Sequence, residues 1–372
     1  MALLYVLTAV LVTIQRGDEK APHTTFRIFR WSFRHLVAGR DLYAYYPRLQ
    51  GAGIHDLFKY SPTGAFLFAP FSVLPFRGAL LVWSALGALS LLYAFDVLLP
   101  RRDAIVAAAL LWPDLLASLQ SCSSNAFVAA LIVAAFVNFE RQRQANAAAA
   151  IVTGAAIKLF PLAALSLAVV HPRQRRFAAW FVLVGLIAVL VPLLVTDVPH
   201  LLQQYRSWMV VEQYDASDLA FGESLMHLVR TWVGGAWPNW PMQVVGTLVL
   251  LAPLAIRRNQ ANDPGFRLQL LASILMYVVL FNHQAEHQSF VISSFGVALW
   301  CTASPSRAVP RAGRYALALL AVSGLGPAPL AAVWLLTQLE LAGWTALAGR
   351  TAGGGPASVP AYAGTPASPT SS

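Results

Sequence analysis

Apolar stretches long enough to form a helix recur along this chain almost without polar alternation. They fall at Gly78–Leu99, Ala104–Leu119, Ala126–Phe139, Phe177–Val195, Met242–Ile256, Leu268–Phe281, Phe290–Cys301 and Tyr315–Leu347, the last read as a pair. Bilayer, rather than a packed soluble core, is the expected solvent for such segments. Composition agrees: 11% of the 372 residues are charged and 58% are hydrophobic, too few charges to cover a surface in water. The expected fold is an all-α polytopic membrane protein with a single membrane domain over residues 1–350.

The net charge of +10 does not point to nucleic acid, because Lys and Arg sit in short clusters between apolar runs rather than along one face. Cys122 and Cys301 lie beside expected spans with no metal or redox spacing, and read as inert. Met1–Ile14 has neither a basic n-region nor a small-x-small cleavage site, so it reads as a retained first span, short of the ~20 residues that an upright crossing needs.

Two further apolar stretches are broken. Ser61–Pro75 carries Pro62, Pro70 and Pro75, and Ala145–Val170 carries Lys158-Leu159-Phe160-Pro161 near its middle. The clusters Arg101/Arg102, Arg141/Arg143, Arg173/Arg175/Arg176, Arg257/Arg258 and Arg307/Arg311/Arg314 share one cytoplasmic side only if 145–170 enters and leaves as a V and 61–75 does not cross. Residues 16–60 and 196–240 then become the first and second outer loops. The basic residues of the first loop run against the positive-inside rule. Residues 353–372, rich in Gly, Pro, Ser, Ala and Thr and without charge, are expected to form a disordered tail.

The first outer loop opens with an expected helix, capped by Thr24 or Thr25, running to Ala38 and leaving through Gly39. Phe26, Phe29, Phe33, Leu36 and Val37 share one arc of it and Arg27, Arg30 and Arg34 the adjoining one, so it should lie flat in the membrane interface. Its arginines read either as a clamp for a lipid-borne phosphate or as an ordinary interfacial anchor. Downstream, Asp41-Leu42-Tyr43 and Asp56-Leu57-Phe58-Lys59-Tyr60-Ser61-Pro62 set acids and Lys59 beside aromatic rings. That pattern suits sugar binding and equally an aromatic belt.

Lys158, halfway through an apolar stretch, needs either an anion, such as a phosphate, or a partner such as Asp114. Asn282-His283-Gln284-Ala285-Glu286-His287-Gln288 interrupts an otherwise apolar hairpin. Its two histidines lack the H-E-x-x-H spacing and a third ligand, so no metal is expected. A carboxylate base, Glu286, oriented by His283 or His287, is the expected reading. The serine-hydrolase elbow and the phosphate-binding glycine loop are absent from the sequence.

Together these residues resemble glycosyltransferase family 87, membrane enzymes of the GT-C fold that include polyprenyl-phosphate-mannose-dependent mannosyltransferases. The resemblance covers roughly Phe26 to Trp300. It rests on Gly39-Arg40-Asp41-Leu42-Tyr43, Phe58-Lys59-Tyr60-Ser61-Pro62, Ala69-Pro70, Leu74-Pro75, Trp83, Gln120, Asn125, and Ile157-Lys158-Leu159-Phe160-Pro161 before Arg173–Arg176. It implies a GT-C-like bundle of about 8–11 transmembrane helices with re-entrant or broken segments in a cell (inner) membrane. It also implies inverting hexosyl transfer, without metal or other cofactor, from a polyprenyl-phosphate sugar to a lipid or glycan acceptor on the non-cytoplasmic face.

In one respect the chain departs from the family. Where the family carries an aspartate at the start of the first-loop helix, this chain has Thr24-Thr25-Phe26. The base must then come from elsewhere among Asp41, Asp56, Glu212, Asp215, Asp218, Glu223 and Glu286, with Glu286 or Asp56 preferred and Asp41 third. Lys158, Arg27, Arg30, Arg34 and Lys59 are expected near the donor phosphate, with Tyr43, Tyr60, Gln120 and Asn125 lining the site. The alternative reading is a catalytically inactive transport or scaffold protein that keeps the fold.

Overall fold

The computed structural model describes residues 1–18, 25–46, 57–217, 222–235, 237–304, 309–322 and 325–343. Among them all regular structure is helical, with no strand. In chain order the α-helices are α1 (Ala2–Arg16), α2 (Thr25–Val37), α3 (Pro62–Leu67), α4 (Ala69–Val73), α5 (Phe76–Leu98), α6 (Arg101–Gln120), α7 (Asn125–Glu140) and α8 (Gln144–Ile157). A 3-10 segment (Phe160–Val170) follows, then α9 (Gln174–Leu190), α10 (Val198–Ser217), α11 (Leu225–Val233), α12 (Trp240–Ile256), α13 (Pro264–Leu280), α14 (Phe290–Ala303), α15 (Arg311–Val322) and α16 (Pro327–Ala342). The expected tail, 353–372, lies outside the described residues.

The apolar stretches read from sequence each became a helix. Among the described residues three helices, α5, α6 and α9 with its 3-10 extension to Leu194, are long and apolar enough to cross a membrane. That is fewer than the 8–11 expected, because α1, α7, α8, α12 and α13, at 14 to 17 residues, fall below the ~20 of an upright span. Only 11% of the α9 stretch is buried in protein, with Val182, Leu186, Ile187 and Leu194 laid open. Hydrocarbon is the solvent that suits such a surface, and the chain is a membrane protein.

The centre is α13 and α14, buried on nearly every face, with α6, α7, α15, α16 and the 3-10 segment packed on them. Phe95 of α5 stacks on Phe295 of α14 with ring centroids 3.9 Å apart. A smaller aromatic core joins α2 to α5: Phe26 and Phe29 pack on Phe68, Phe76 and Trp83, and Phe29 stacks on Phe68 at 4.6 Å.

The break at Lys158 folds 144–170 back on itself. At the start of α8 Gln144 donates to Pro172 O (3.5 Å), and Glu140 meets His171 (2.8 Å), so both ends of the stretch lie together as the V-shaped reading expected. Arg267 at the start of α13 grips the same Glu140 (2.8 Å), and Arg311 before α15 reaches Asp103 (3.2 Å) at the start of α6. The basic connections therefore gather at one end of the bundle, opposite Lys158. α3 and α4 add only 11 residues, about 17 Å at ~1.5 Å per residue, too short to cross.

The helix α2 appears where expected, exits through Gly39 in the left-handed conformation (φ 63°), and differs in its surroundings. Phe26, Phe29 and Leu36 are fully buried against protein, while Phe33 is half-buried and Val37 exposed, so most of its apolar arc packs on protein and only its margin is open. Arg30, which is buried, turns inward, and the exposed Arg34 reaches the same short helix. Arg30 donates to Phe71 O (2.9 Å) and Leu74 O (2.6 Å), and Arg34 to Ser72 O (2.6 Å), supplying partners to carbonyls that the end of the short α4 leaves open. Thr24, one of the two expected caps, lies outside the described residues.

Because charged donors to buried carbonyls contribute about 1.5–3 kcal/mol, Arg30→Ala should lower the unfolding stability of the detergent-solubilised protein by that order, read from thermal unfolding. Unchanged stability together with lost donor binding would make Arg30 a phosphate ligand instead.

Candidate active site

Three local devices bring the broken segments together. Ser61 caps α3 by accepting from Gly64 N (3.0 Å) and donates its hydroxyl hydrogen to Ala156 O (2.7 Å), tying α3 to the last turn of α8. Gly64 allows that approach, since a Cβ there would stand 2.7 Å from the Ala156 carbonyl oxygen. The Pro161 ring closes over Gly154, where a Cβ would lie 2.7 Å from it, so the chain turns sharply after Lys158.

At that turn Lys158 Nζ donates to Asn125 Oδ1 (2.8 Å), and Asn125 Nδ2 donates to Gln288 O (2.9 Å). The Gln288 side chain in turn donates to Glu286 Oε2. Glu286 closes a capping box with Ser289 at the head of a 3-10 turn (His287–Ser289). Asn125 is fully buried, and Glu286 and Lys59 both lie close enough to Lys158 for their charges to act on it. Lys158 therefore pairs with Asn125 and not with Asp114, which accepts from Ser294. The ammonium also lies 5.5 Å from the centre of the Phe160 ring.

A cavity of about 790 Å³ opens at this network and has two parts. The polar head is walled by Lys158, Lys59, Glu286, His283, Gln288 and Glu212. The apolar arm runs between the 3-10 segment (Leu162, Ala163, Val169) and helices α12 and α13 (Leu250, Leu251, Val278). Gln243, Thr247 and Tyr277 are the polar exceptions in that arm, with the Thr247 and Tyr277 hydroxyls 2.6 Å apart. Asn282 lines the head with a buried Nδ2 that has no hydrogen-bond partner among the described residues.

Of the residues singled out from sequence, Glu286, His283, Lys158, Lys59 and Tyr60 line this cavity, with Asn125 directly behind Lys158. Others stand apart. His287 faces Glu223 (3.7 Å), and Gln120 donates to Gln15 at the end of α6. Asp41 accepts from Tyr43 N (3.0 Å) and Ser207 Oγ (3.2 Å), holding a turn against α10. Arg30 and Arg34 serve α4 as described, and Arg27 does not line the cavity. Tyr43 is buried behind the wall and donates to Tyr60 O (2.7 Å). Burial first, then Tyr205, Asp41 and Glu212 nearby, push its phenol well above the ordinary value, which keeps it a donor. Asp56 and Asp218 lie outside the described residues, as does the side chain of Asp215.

Thr25 lines the cavity, so the start of the first-loop helix faces the site with a hydroxyl rather than a carboxylate. Glu212 and Trp208 on α10 also line it and carried little signal in the sequence, since their helix has no strong amphipathic pattern. The Trp208 indole donates to Glu212 Oε1 (3.0 Å) and Lys59 O (3.2 Å). Gln243 and Thr247 were not singled out from sequence, although both are polar residues inside an otherwise apolar stretch.

Helices suited to hydrocarbon surround a cavity that is charged at one end and apolar along the other, and together they define a membrane protein. The sequence profile of glycosyltransferase family 87 matches residues 58–282, more than half of the chain. The chain belongs to glycosyltransferase family 87, and is by family a glycosyltransferase acting on a sugar donor and an acceptor. No curated protein and no solved structure matches it. The match begins after the first-loop helix and ends just before His283, so Thr25 and Glu286 both lie beyond it.

Replacing Asn125 by Leu strips Lys158 of its acceptor and Gln288 O of a donor. Unmet buried groups cost about 1–3 kcal/mol each. Asn125→Leu should therefore unfold at measurably lower denaturant than the parent, whereas Gln120→Leu should not.

Proposed function

We propose that this chain is a GT-C-type hexosyltransferase that takes mannose, or another hexose, from a polyprenyl-phosphate donor. The sugar passes to a lipid or glycan acceptor on the non-cytoplasmic face of the cell membrane, with inversion. The observation that carries the reading is the two-part cavity: cations and carboxylates at its head, and an apolar arm that a prenyl chain would fill. A phosphate with a lipid tail matches both parts at once. A free sugar nucleotide would leave the apolar arm unused.

In this reading Lys158 and Lys59 meet the donor phosphate and stabilise the charge that grows on it as the bond to the sugar breaks. The acceptor hydroxyl oxygen attacks the anomeric carbon from the face opposite the phosphate. The carbon–oxygen bond to phosphate breaks, and its electron pair leaves with the polyprenyl phosphate. The hydroxyl proton goes to Glu286, and a single displacement inverts the anomeric centre. His283 sits beside Glu286 in the wall as orienting partner, and the Trp208 indole and Tyr60 ring offer the sugar apolar faces. With threonine at the head of the first-loop helix, the carboxylate comes from the far end of the site.

The test is transfer from polyprenyl-phosphate-mannose by purified protein in bilayer discs. Glu286→Gln should lower kcat by ~10²–10⁴-fold, the range of a positioned general base. Lys158→Met should lower kcat/KM by ~10²–10³-fold, the range for losing one charge-stabilising donor. Full turnover by Glu286→Gln and loss in Glu212→Gln would move the base to α10. Donor binding without consumption by the parent protein would favour the transport or scaffold role.

A further inference from the structure

A second cavity, of about 490 Å³, is a groove between α5 and α7 that shares only Ile157 with the reaction cavity. One end is closed by aromatic rings, where Trp83 meets Phe127 at 4.5 Å. The other end opens at Val97, Asn138 and Arg141. From Phe127 to Arg141 the α7 wall extends about 21 Å at ~1.5 Å per residue, most of the ~30 Å thickness of a hydrocarbon layer. Ala130 and Ala134, one turn apart and half-buried, leave the floor low, and the lining is almost wholly apolar.

The groove lies along α5, whose outer residues Leu86, Leu89 and Tyr93 are exposed and which is itself a membrane-crossing candidate. In a bilayer such a groove is filled by an alkyl chain. Charge says which kind of lipid supplies it. The guanidinium of Arg141 is exposed at the mouth and forms no ion pair among the described residues. Arg143 follows two residues on, and Arg101 and Arg102 begin α6 just beyond the Val97 end of α5. Of the carboxylates at this end, Glu140 is held by Arg267 and His171, Asp103 by Arg311, Asp263 caps α13, and Glu340 is buried accepting from Gln269 and Trp300. Asp96, exposed on α5, stands against Arg101, Arg102, Arg141 and Arg143, which form no ion pair among the described residues.

We infer that this groove is a binding site for one chain of an anionic phospholipid, with its phosphate at Arg141. The lipid is not the acceptor of the transfer reaction. Arg141 precedes α8 and Lys158 caps its far end, so the whole 14-residue helix, about 21 Å, separates this headgroup from the reaction cavity. It belongs to the opposite leaflet, and its chain packs against Thr153, Leu131 and Phe127, on the two helices that present Lys158 and Asn125.

Delipidated full-length protein, titrated with phosphatidylglycerol or phosphatidylcholine and read by native mass spectrometry for bound lipid, tests this. The parent should retain phosphatidylglycerol about fivefold more tightly, the factor that ~1 kcal/mol for one arginine at an anionic headgroup corresponds to. Arg141→Ala should erase that preference while leaving phosphatidylcholine binding unchanged. Ala134→Phe, which fills the groove, should abolish the tightest bound lipid of either kind, with folding checked by thermal unfolding. Equal retention of the two lipids by the parent, or an undiminished preference in Arg141→Ala, overturns the headgroup assignment. Undiminished tight binding in folded Ala134→Phe overturns the groove.

Discussion

One ammonium group at the end of α8 dictates much of the surrounding architecture. Lysine in hydrocarbon is costly unless it faces polar partners or a cavity, and Lys158 has both: Asn125 as direct acceptor and the cavity head in front of it. Meeting that need requires α7 to begin at Asn125, the 288 carbonyl to approach Asn125, and the chain to break at once after Lys158 so that the 3-10 segment returns beside α8. The return leaves the apolar arm between that segment and α12 and α13. The charged head and the apolar tail of the cavity are therefore two consequences of one interruption.

A second interruption works by the same economy. Prolines divide 61–75 into α3 and α4, and the carbonyls freed at the end of α4 are met by Arg30 and Arg34 from α2. Thus the basic first loop, which resisted the positive-inside rule, is explained in part by structural duty: Arg30 is spent inside the protein, and the exposed Arg34 reaches back to the same short helix. Ser61 joins this layer to α8 and brings Lys59 and Tyr60 to the cavity wall.

The helices and the two breaks were legible because apolar run length and proline position are local signals. That Glu286, His283 and Lys158 would share a polar pocket was legible because polar groups in an apolar setting need a reason. The backbone partners of Arg30 and Arg34 could not be read from sequence, because a helical arc shows which residues are neighbours, not what covers them. Asp41 beside an arginine and two aromatics has the look of a site, yet its carboxylate is occupied by Tyr43 N and Ser207 Oγ. Glu212 was named among seven outer carboxylates without distinction, since its place at the cavity depends on α10 docking against the first loop through Gln204, which accepts from Leu42 N at 2.8 Å. Such tertiary docking leaves no periodicity to read.

The claim on which the rest stands is that the apolar arm beside Lys158 holds the lipid of the donor. A polyprenyl phosphate carrying a photoreactive group on its chain, cross-linked in bilayer discs and mapped by peptide mass spectrometry, measures this directly. The account expects adducts on 160–170 and on α12 and α13, with competition by unlabelled polyprenyl phosphate. Adducts confined to α5 and α7, or scattered evenly over lipid-facing helices without competition, would contradict it.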